Sequence, residues 1–263
     1  MYPYDLFFGL DLYDILFIVG FCSALFYFRF WADRRHFSAR HQNICILSAL
    51  AAVIGGYGSA VLFQAFYNYL ESGVFEIVGN TGANFYGGLI GGAALFLLIY
   101  FVVGCRVLHD RAFTERFFEV SEIAAGSIAL AHGFGRLGCL FAGCCHGKIT
   151  EAWYGIYHVG LEAKVVPVQL FEAVFLLALA SYLTWRLYRG LHGSLGLYLV
   201  TYAVWRFAIE FLRADARGQS PIPFLSPSQL TAILLAMLGC AVWLIECIRK
   251  NPKIKNGGHP DVT

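Results

Sequence analysis

Seven stretches of the chain are apolar for long enough to cross a bilayer as helices, near residues 12–30, 45–70, 84–105, 117–138, 168–185, 194–212 and 227–247. A spanning helix needs roughly 20 predominantly apolar residues. The runs are rich in Leu, Ala and Gly and lack the apolar/polar alternation of a membrane β-barrel strand. The fourth run carries Glu119, Glu122 and His132, and it counts as a span because the charge alternation described below requires it. The pattern predicts an all-α, polytopic membrane protein, a bundle of about seven transmembrane helices. Residues 1–250 would form one seven-helix domain, and the polar segment 251–263 a disordered tail.

Composition agrees. Hydrophobic residues make up 59% of the 263, aromatics 17% and charged residues 14%, against about a quarter charged in a soluble domain. A formal charge of +2 excludes a strongly basic nucleic-acid binder. Thirteen of the nineteen Lys and Arg cluster at or after runs one, three, five and seven, from Arg29 to Lys255. By the positive-inside rule, the N-terminus lies outside and the C-terminus in the cytoplasm. The first residues, MYPYDLFFGLDLYD, hold three aspartates and no basic residue, so the first run reads as a retained span and not a cleaved signal peptide. No internal repeat is visible, nor the matched pair of broken helices typical of many two-half transporters.

Ionisable side chains inside a bilayer are costly and therefore functional candidates. Glu122, His132 and Arg136 lie on run four, Arg206 and Glu210 on run six. His132 and Arg136 are four residues apart on one helical face, as are Arg206 and Glu210. The plainer reading of the second pair is mutual neutralisation. The functional reading is that two arginines at one membrane face cradle a phosphate, which guanidinium binds bidentately; a phospholipid headgroup is the anion at that depth.

Glycine, cysteine and tyrosine supply further candidates. FYGGLIGG at 85–92 reads mainly as helix packing through small residues. HGFGRLGCLFAGCCHGK at 132–148 places Gly135, Gly138 and Gly143 among Arg136, Cys139, Cys144, Cys145 and His146, and suggests irregular backbone lining a wet cavity. Three thiols and an imidazole could hold zinc, but all four donors come from eight consecutive positions, unlike the separated pairs of a common structural site, and no metal is expected. A thiolate near Arg136 could instead act as a nucleophile, and small buried thiols packing a tight loop are the bland alternative. Tyr13 and Tyr86 sit at span ends, where tyrosine is common.

These motifs resemble the bacterial prolipoprotein diacylglyceryl transferases. GRLGCLFAGCCHG at 135–147 is similar to the family signature and carries its essential arginine onto Arg136. FYGGLIGG resembles the family's Phe-His-Gly-Gly-Leu-Ile-Gly, and WRFAIEFLRADA at 205–216 its Arg-x-x-x-Glu-Phe-x-Arg-x-x-Asp segment, which gives Arg206, Glu210 and Arg213. VPVQLFEA at 166–173 is similar to the Pro-Ser-Gln-Leu-Tyr-Glu-Ala element, placing Gln169 and Glu172, and LYDILFIVGF aligns Tyr13. Glu122 stands where the family has an aspartate. The sequence departs from the pattern in four places: Tyr86 replaces a histidine, Cys139 an asparagine, Cys144 a glutamate, and Tyr57 an arginine.

The resemblance implies a multi-pass protein of the bacterial inner membrane. It would move a diacylglyceryl group from phosphatidylglycerol to the lipobox cysteine thiol of a prolipoprotein and release glycerol phosphate, with no cofactor. Arg136 would stabilise the departing phosphate, Arg206 would hold it, and Tyr86 and Cys144 would complete the catalytic set. Tyr13, Cys139, Glu122, Glu210, Gly135, Gly138 and Gly143 would bind or enclose substrate. The alternatives are a divergent lipid-modifying enzyme using a loop cysteine, and a non-catalytic lipid-binding or transport protein.

Overall fold

A computed structural model describes residues 9–73, 75–77, 81, 85–214 and 224–250; the expected tail at 251–263 lies outside them. The long helices are α1 (Leu12–Arg34), α2 (Ala39–Ser72), α3 (Phe85–Phe101), α5 (Phe117–Ala142), α6 (Val168–Tyr188), α7 (Ser194–Ile209) and α8 (Pro227–Lys250), with one short turn, α4 (Ala112–Glu115), before α5. Seven helical segments among the described residues are long and apolar enough to cross a membrane, and the fourth run is one of them, at Phe117–Ala142. Their outward faces are apolar, from Phe26 and Ile54 to Met237 and Leu244, as side chains facing lipid must be.

The chain divides into two compact units, Ala32–Phe117 and the remainder. In the Ala32–Phe117 unit, α2 begins at an N-cap, Ser38, whose hydroxyl accepts from the His41 amide at 3.2 Å. It ends on Gly73 in the left-handed region, whose N–H returns to the Tyr69 carbonyl, so both ends of a 34-residue helix satisfy exposed backbone groups. Gly87, Gly88 and Gly92 of α3 lie against Ser59, Gly56, Ala60 and Ala52 of α2. These small residues let two backbones approach where apolar burial against lipid gives no net drive. Beyond α3, Val102–Val107 widens into a π-helical turn.

In the larger unit, Asp11 and Asp14 cap each other's amides at the start of α1 (2.9 and 3.4 Å). This reciprocal box fixes the first turn, which carries Tyr13. Helices α5, α6 and α7 share a core of Ala125, Ala129, Leu176, Leu179, Ala180, Leu183, Tyr198 and Tyr202. The glycine-rich stretch is mostly regular helix, which corrects the expectation of irregular backbone from 133 onward: α5 continues to Ala142. The reason is packing. A side chain at Gly133 would meet Leu177, and one at Gly138 would meet Tyr13. Irregular backbone begins only at Gly143 (φ +74°).

The α5–α6 connection forms a small antiparallel hairpin, β1 (Ile156–His158) and β2 (Ala163–Val165), with Tyr157 opposite Lys164. It stitches residues 143–150 down by backbone hydrogen bonds. Gly147 N–H donates to the Val166 carbonyl, Lys148 N–H to Leu212, Thr150 N–H to Lys164 and Ala214 N–H to His146.

The α2–α3 contact makes a direct test possible. A methyl at Gly87 would collide with the Phe63 side chain and lie 2.9 Å from the Ser59 carbonyl, whereas Gly58 has open space beside it. Gly87→Ala is therefore expected to cost about 1–3 kcal/mol by overpacking. Gly58→Ala should be neutral or gain up to ~1 kcal/mol of helix propensity. Denaturant unfolding in detergent compares the two.

Candidate active site

Glu172, on the first turns of α6, is fully buried and stands between two neighbouring helices. Its Oε2 lies 3.1 Å from Arg136 Nε of α5 and 4.0 Å from Arg206 Nη1 of α7. Tyr202 of α7 donates its phenol to Oε1 at 2.9 Å. The Arg136 contact is an ion pair without hydrogen-bond alignment, since Arg136 Nε and Glu172 Oε2 have no hydrogen-bond partner. That attraction is Coulombic and tolerates a shift of the guanidinium.

A second carboxylate continues the network. Arg206 Nη2 donates to Glu210 Oε2 at 2.8 Å and to Ser228 Oγ of α8 at 3.0 Å. Glu210 Oε2 lies 3.8 Å from Arg213 Nε, and its Oε1 accepts from Ser226 Oγ. Arg206 Nη1, by contrast, is buried with no hydrogen-bond partner. These five groups, three guanidinia and two carboxylates, carry a net charge of +1. His132 sits behind them on α5, Nδ1 facing the Tyr198 phenol at 3.3 Å and Nε2 the Tyr202 phenol at 3.5 Å.

The three cysteines form the other wall. Their Sγ atoms lie within 4.8 Å of one another, Cys144 exposed and Cys139 and Cys145 half-buried. Cys145 adopts φ +61°, a left-handed conformation that costs a non-glycine residue about 1–2 kcal/mol. Successive side chains of an extended chain point apart; the left-handed turn lets both vicinal thiols face the same side. Gln169 Nε2 donates to the Cys144 carbonyl at 2.6 Å. His158 Nδ1 accepts from the Leu161 amide while Nε2 donates to the Gly143 carbonyl at 2.7 Å, which fixes its tautomer. Hydrogen bonds from Cys139 and Cys144, with the Arg213 guanidinium beside them, hold the Cys145 thiol below its ordinary value. Cys144 is raised, because its hydrogen bonding to Cys139 and Cys145 favours the protonated form. Tyr13 is within electrostatic reach of all three cysteines and packs on Gly138.

The structure thus brings Arg136, Arg206, Glu210, Tyr13, Cys139 and Cys144 into one polar region, with Gly138 and Gly143 shaping its wall and open space beside Gly135. It does not bring Glu122 there, which corrects its expected place at the substrate. Glu122 is fourteen residues before Arg136 on the same helix, about 21 Å along the axis, and is hydrogen-bonded at 2.8 Å to His192 in the α6–α7 connection. It holds that connection in place. The Tyr86 side chain lies outside the described residues. Sequence reading left Glu172 out of the intramembrane charges, although it is an ionisable residue within an apolar run and the same rule selects it. Tyr198, Tyr202 and Arg206 recur every four residues on one face of α7, a signal that also went unread.

Comparison with known proteins gives the family. The family model for prolipoprotein diacylglyceryl transferase matches residues 4–245. The chain is 29% identical over 254 residues to phosphatidylglycerol–prolipoprotein diacylglyceryl transferase 2 of Clostridium perfringens, covering 92% of this chain and 94% of that one. It is 28% identical over 255 residues to the phosphatidylglycerol–prolipoprotein diacylglyceryl transferase of Clostridium tetani (92% and 96%), and 28% over 250 to that of Photobacterium profundum (92% and 90%). With seven apolar helices and a match across nearly its whole length, the chain is a multi-pass membrane protein that belongs to the prolipoprotein diacylglyceryl transferase family.

Proposed function

We propose that this protein transfers the diacylglyceryl group of phosphatidylglycerol to the lipobox cysteine thiol of a prolipoprotein, and that the Arg136–Glu172–Arg206–Glu210–Arg213 network is where it does so. The observation that carries the site assignment is Arg206 Nη1, buried with no hydrogen-bond partner beside the partly exposed Arg136 guanidinium, both tied to the one buried carboxylate of Glu172. A phosphodiester monoanion supplies the acceptor oxygens and a negative charge that guanidinium binds well. Family membership and the names of the relatives support the reaction.

In that reaction the acceptor thiol gives its proton to water, its sulfur forms a bond to the glyceryl carbon, and the carbon–oxygen bond to phosphate breaks. The electron pair leaves on the phosphate oxygen, and glycerol phosphate departs as a monoester. Negative charge grows on the phosphate as the bond breaks, so a fixed guanidinium there stabilises the transition state more than the bound lipid. Arg136 fills this role: its Coulombic tie to Glu172 lacks hydrogen-bond alignment, and its side chain is 14% exposed. Arg206, held by Glu210 and Ser228, keeps the phosphate in place. Tyr13 and the open space at Gly135 accommodate the headgroup. The charge distribution along the sequence puts the N-terminus and this site on the outer side of the inner membrane, where lipobox cysteines are presented.

Incubation of the purified protein with phosphatidylglycerol and a lipobox peptide should give the diacylglyceryl thioether by mass spectrometry. Arg136→Ala is expected to lower the rate by about 10²–10³-fold, as removal of one oxyanion-stabilising donor does. Absence of product from folded wild-type protein would overturn the reading. A separate outcome follows from burial. Glu172→Gln leaves two guanidinia without their shared counter-charge, and is expected to cost about 3–5 kcal/mol of stability, read as a shift of the unfolding midpoint in detergent.

A further inference from the structure

We propose that Cys139, Cys144 and Cys145 form an open three-thiolate site for a zinc ion whose fourth position takes the thiol of the acceptor cysteine. Tetrahedral zinc with bonds of about 2.3 Å to sulfur sets its ligands about 3.8 Å apart. The three Sγ atoms already lie within 4.8 Å of one another, so closing on a metal needs side-chain shifts of an ångström or less. The scaffold is built before any metal arrives. Cys139 is fixed in the last turns of α5, Gln169 grips the Cys144 carbonyl, and His158 grips that of Gly143. Gly147 is so closely sandwiched that an added methyl would lie 2.6 Å from the Val166 carbonyl and 2.8 Å from that of Leu212.

Among the described residues the ligand set stops at three. Both nitrogens of His158 are committed to the loop backbone, and His146 turns Nδ1 to the Gly147 carbonyl and its ring toward His158. The sequence-level idea of His146 as fourth ligand therefore gives way to an open position, on the side where Cys144 is exposed. Three protein ligands with one vacant position is the arrangement of a catalytic zinc site, not a structural one. This inference departs from the expectation that no metal is used, and its acceptor half rests on the transferase reading above.

The chemistry closes. The acceptor thiol binds zinc as thiolate and its proton passes to water. The bound sulfur forms the bond to the glyceryl carbon, and the carbon–oxygen electron pair leaves on phosphate. The product is a thioether, a weaker ligand than thiolate, and it leaves the metal free for the next acceptor. Zinc here does the work of a base, in a chain whose sequence carries tyrosine at 86 and cysteine at 144 where the family pattern has histidine and glutamate.

The test uses the full-length protein, reduced in detergent, and two metal probes. Zinc should bind at one ion per chain. Cobalt in its place should show sulfur-to-metal charge transfer and the intense visible bands of a tetrahedral site. Cys139→Ser, Cys144→Ser and Cys145→Ser should each weaken binding by more than the roughly 10–100-fold that loss of a supporting group costs, while Cys240→Ser, in α8, should leave it unchanged. A lipobox peptide, but not its Cys→Ser counterpart, should shift the visible bands, and removing zinc with a chelator should abolish transfer until zinc returns. Failure of the reduced, folded protein to bind either metal overturns the proposal, as does transfer that persists unchanged in chelator. Metal binding with the peptide-dependent shift but no turnover of phosphatidylglycerol upholds the thiolate site and overturns only the donor assigned above.

Discussion

One carboxylate inside the bundle holds the polar interior together. Glu172 draws Arg136 from α5 and Arg206 and Tyr202 from α7 onto its two oxygens, and the contacts to Glu210, Ser228 and Arg213 branch from Arg206. A lone carboxylate at this depth would cost several kcal/mol. Two guanidinia beside it change the sign of the problem, because one cation is now in excess. The excess is passed outward through Glu210 to Arg213 and is not neutralised within the five groups. The buried Arg206 Nη1 that this arrangement leaves without a hydrogen bond is the donor that the proposed phosphate would engage.

The packing around this network explains why the glycines fall where they do. Gly133 and Gly138 are helical, and each removes the side chain that would hold α5 away from Leu177 of α6 or Tyr13 of α1. Close approach of α5 and α6 is what allows Arg136 to reach Glu172 at 3.1 Å. Beyond Ala142 a different requirement takes over. The loop has to turn back sharply, and it does so at Gly143 and at Cys145, in left-handed conformations held by the hairpin below them. Backbone strain at a residue that is not glycine persists only when its surroundings over-determine it, and here the four backbone bonds described above and the Gln169 and His158 side chains do so.

Much of the fold could be read from the chain, because lipid imposes a simple rule: spans are long, apolar and helical, and all seven apolar runs form such helices. The site was readable where cost exposes function, at Arg136, Arg206 and Glu210, whose charges stand out in apolar runs. It was less readable in two ways. Position along a helix axis is invisible to a rule that asks only whether a charge lies within a span, so Glu122 was grouped with residues about 21 Å away. Partnership across helices is equally invisible, and Glu172 gains its importance only when α5 and α7 are folded onto α6. The glycines at 85–92 pack helices as expected, whereas those from 133 were misread because the same composition serves a kinked loop and a closely packed helix. Only the neighbour across the interface, Leu177 or Tyr13, decides between them.

The two halves of the site fit one movement of charge. Alkylation of a thiolate by a phosphodiester carries one negative charge from sulfur to phosphate. In the proposed reaction the excess negative charge starts on the acceptor sulfur, against the thiol wall of Cys139, Cys144 and Cys145, and ends on a phosphate monoester among Arg136, Arg206 and Arg213. A protein accelerates such a step by placing fixed positive charge where the electron pair arrives and by holding the attacking sulfur in line at contact distance. Arg136 and Cys139, three residues apart on α5 and within electrostatic reach of each other, put both functions on one rigid helix. Arg213, just beyond α7, adds a through-space link beside Cys145. In the proposed reaction one helix thus sets the spacing between the groups that face the phosphate and those that face the acceptor sulfur, and the chance docking of two mobile substrates does not.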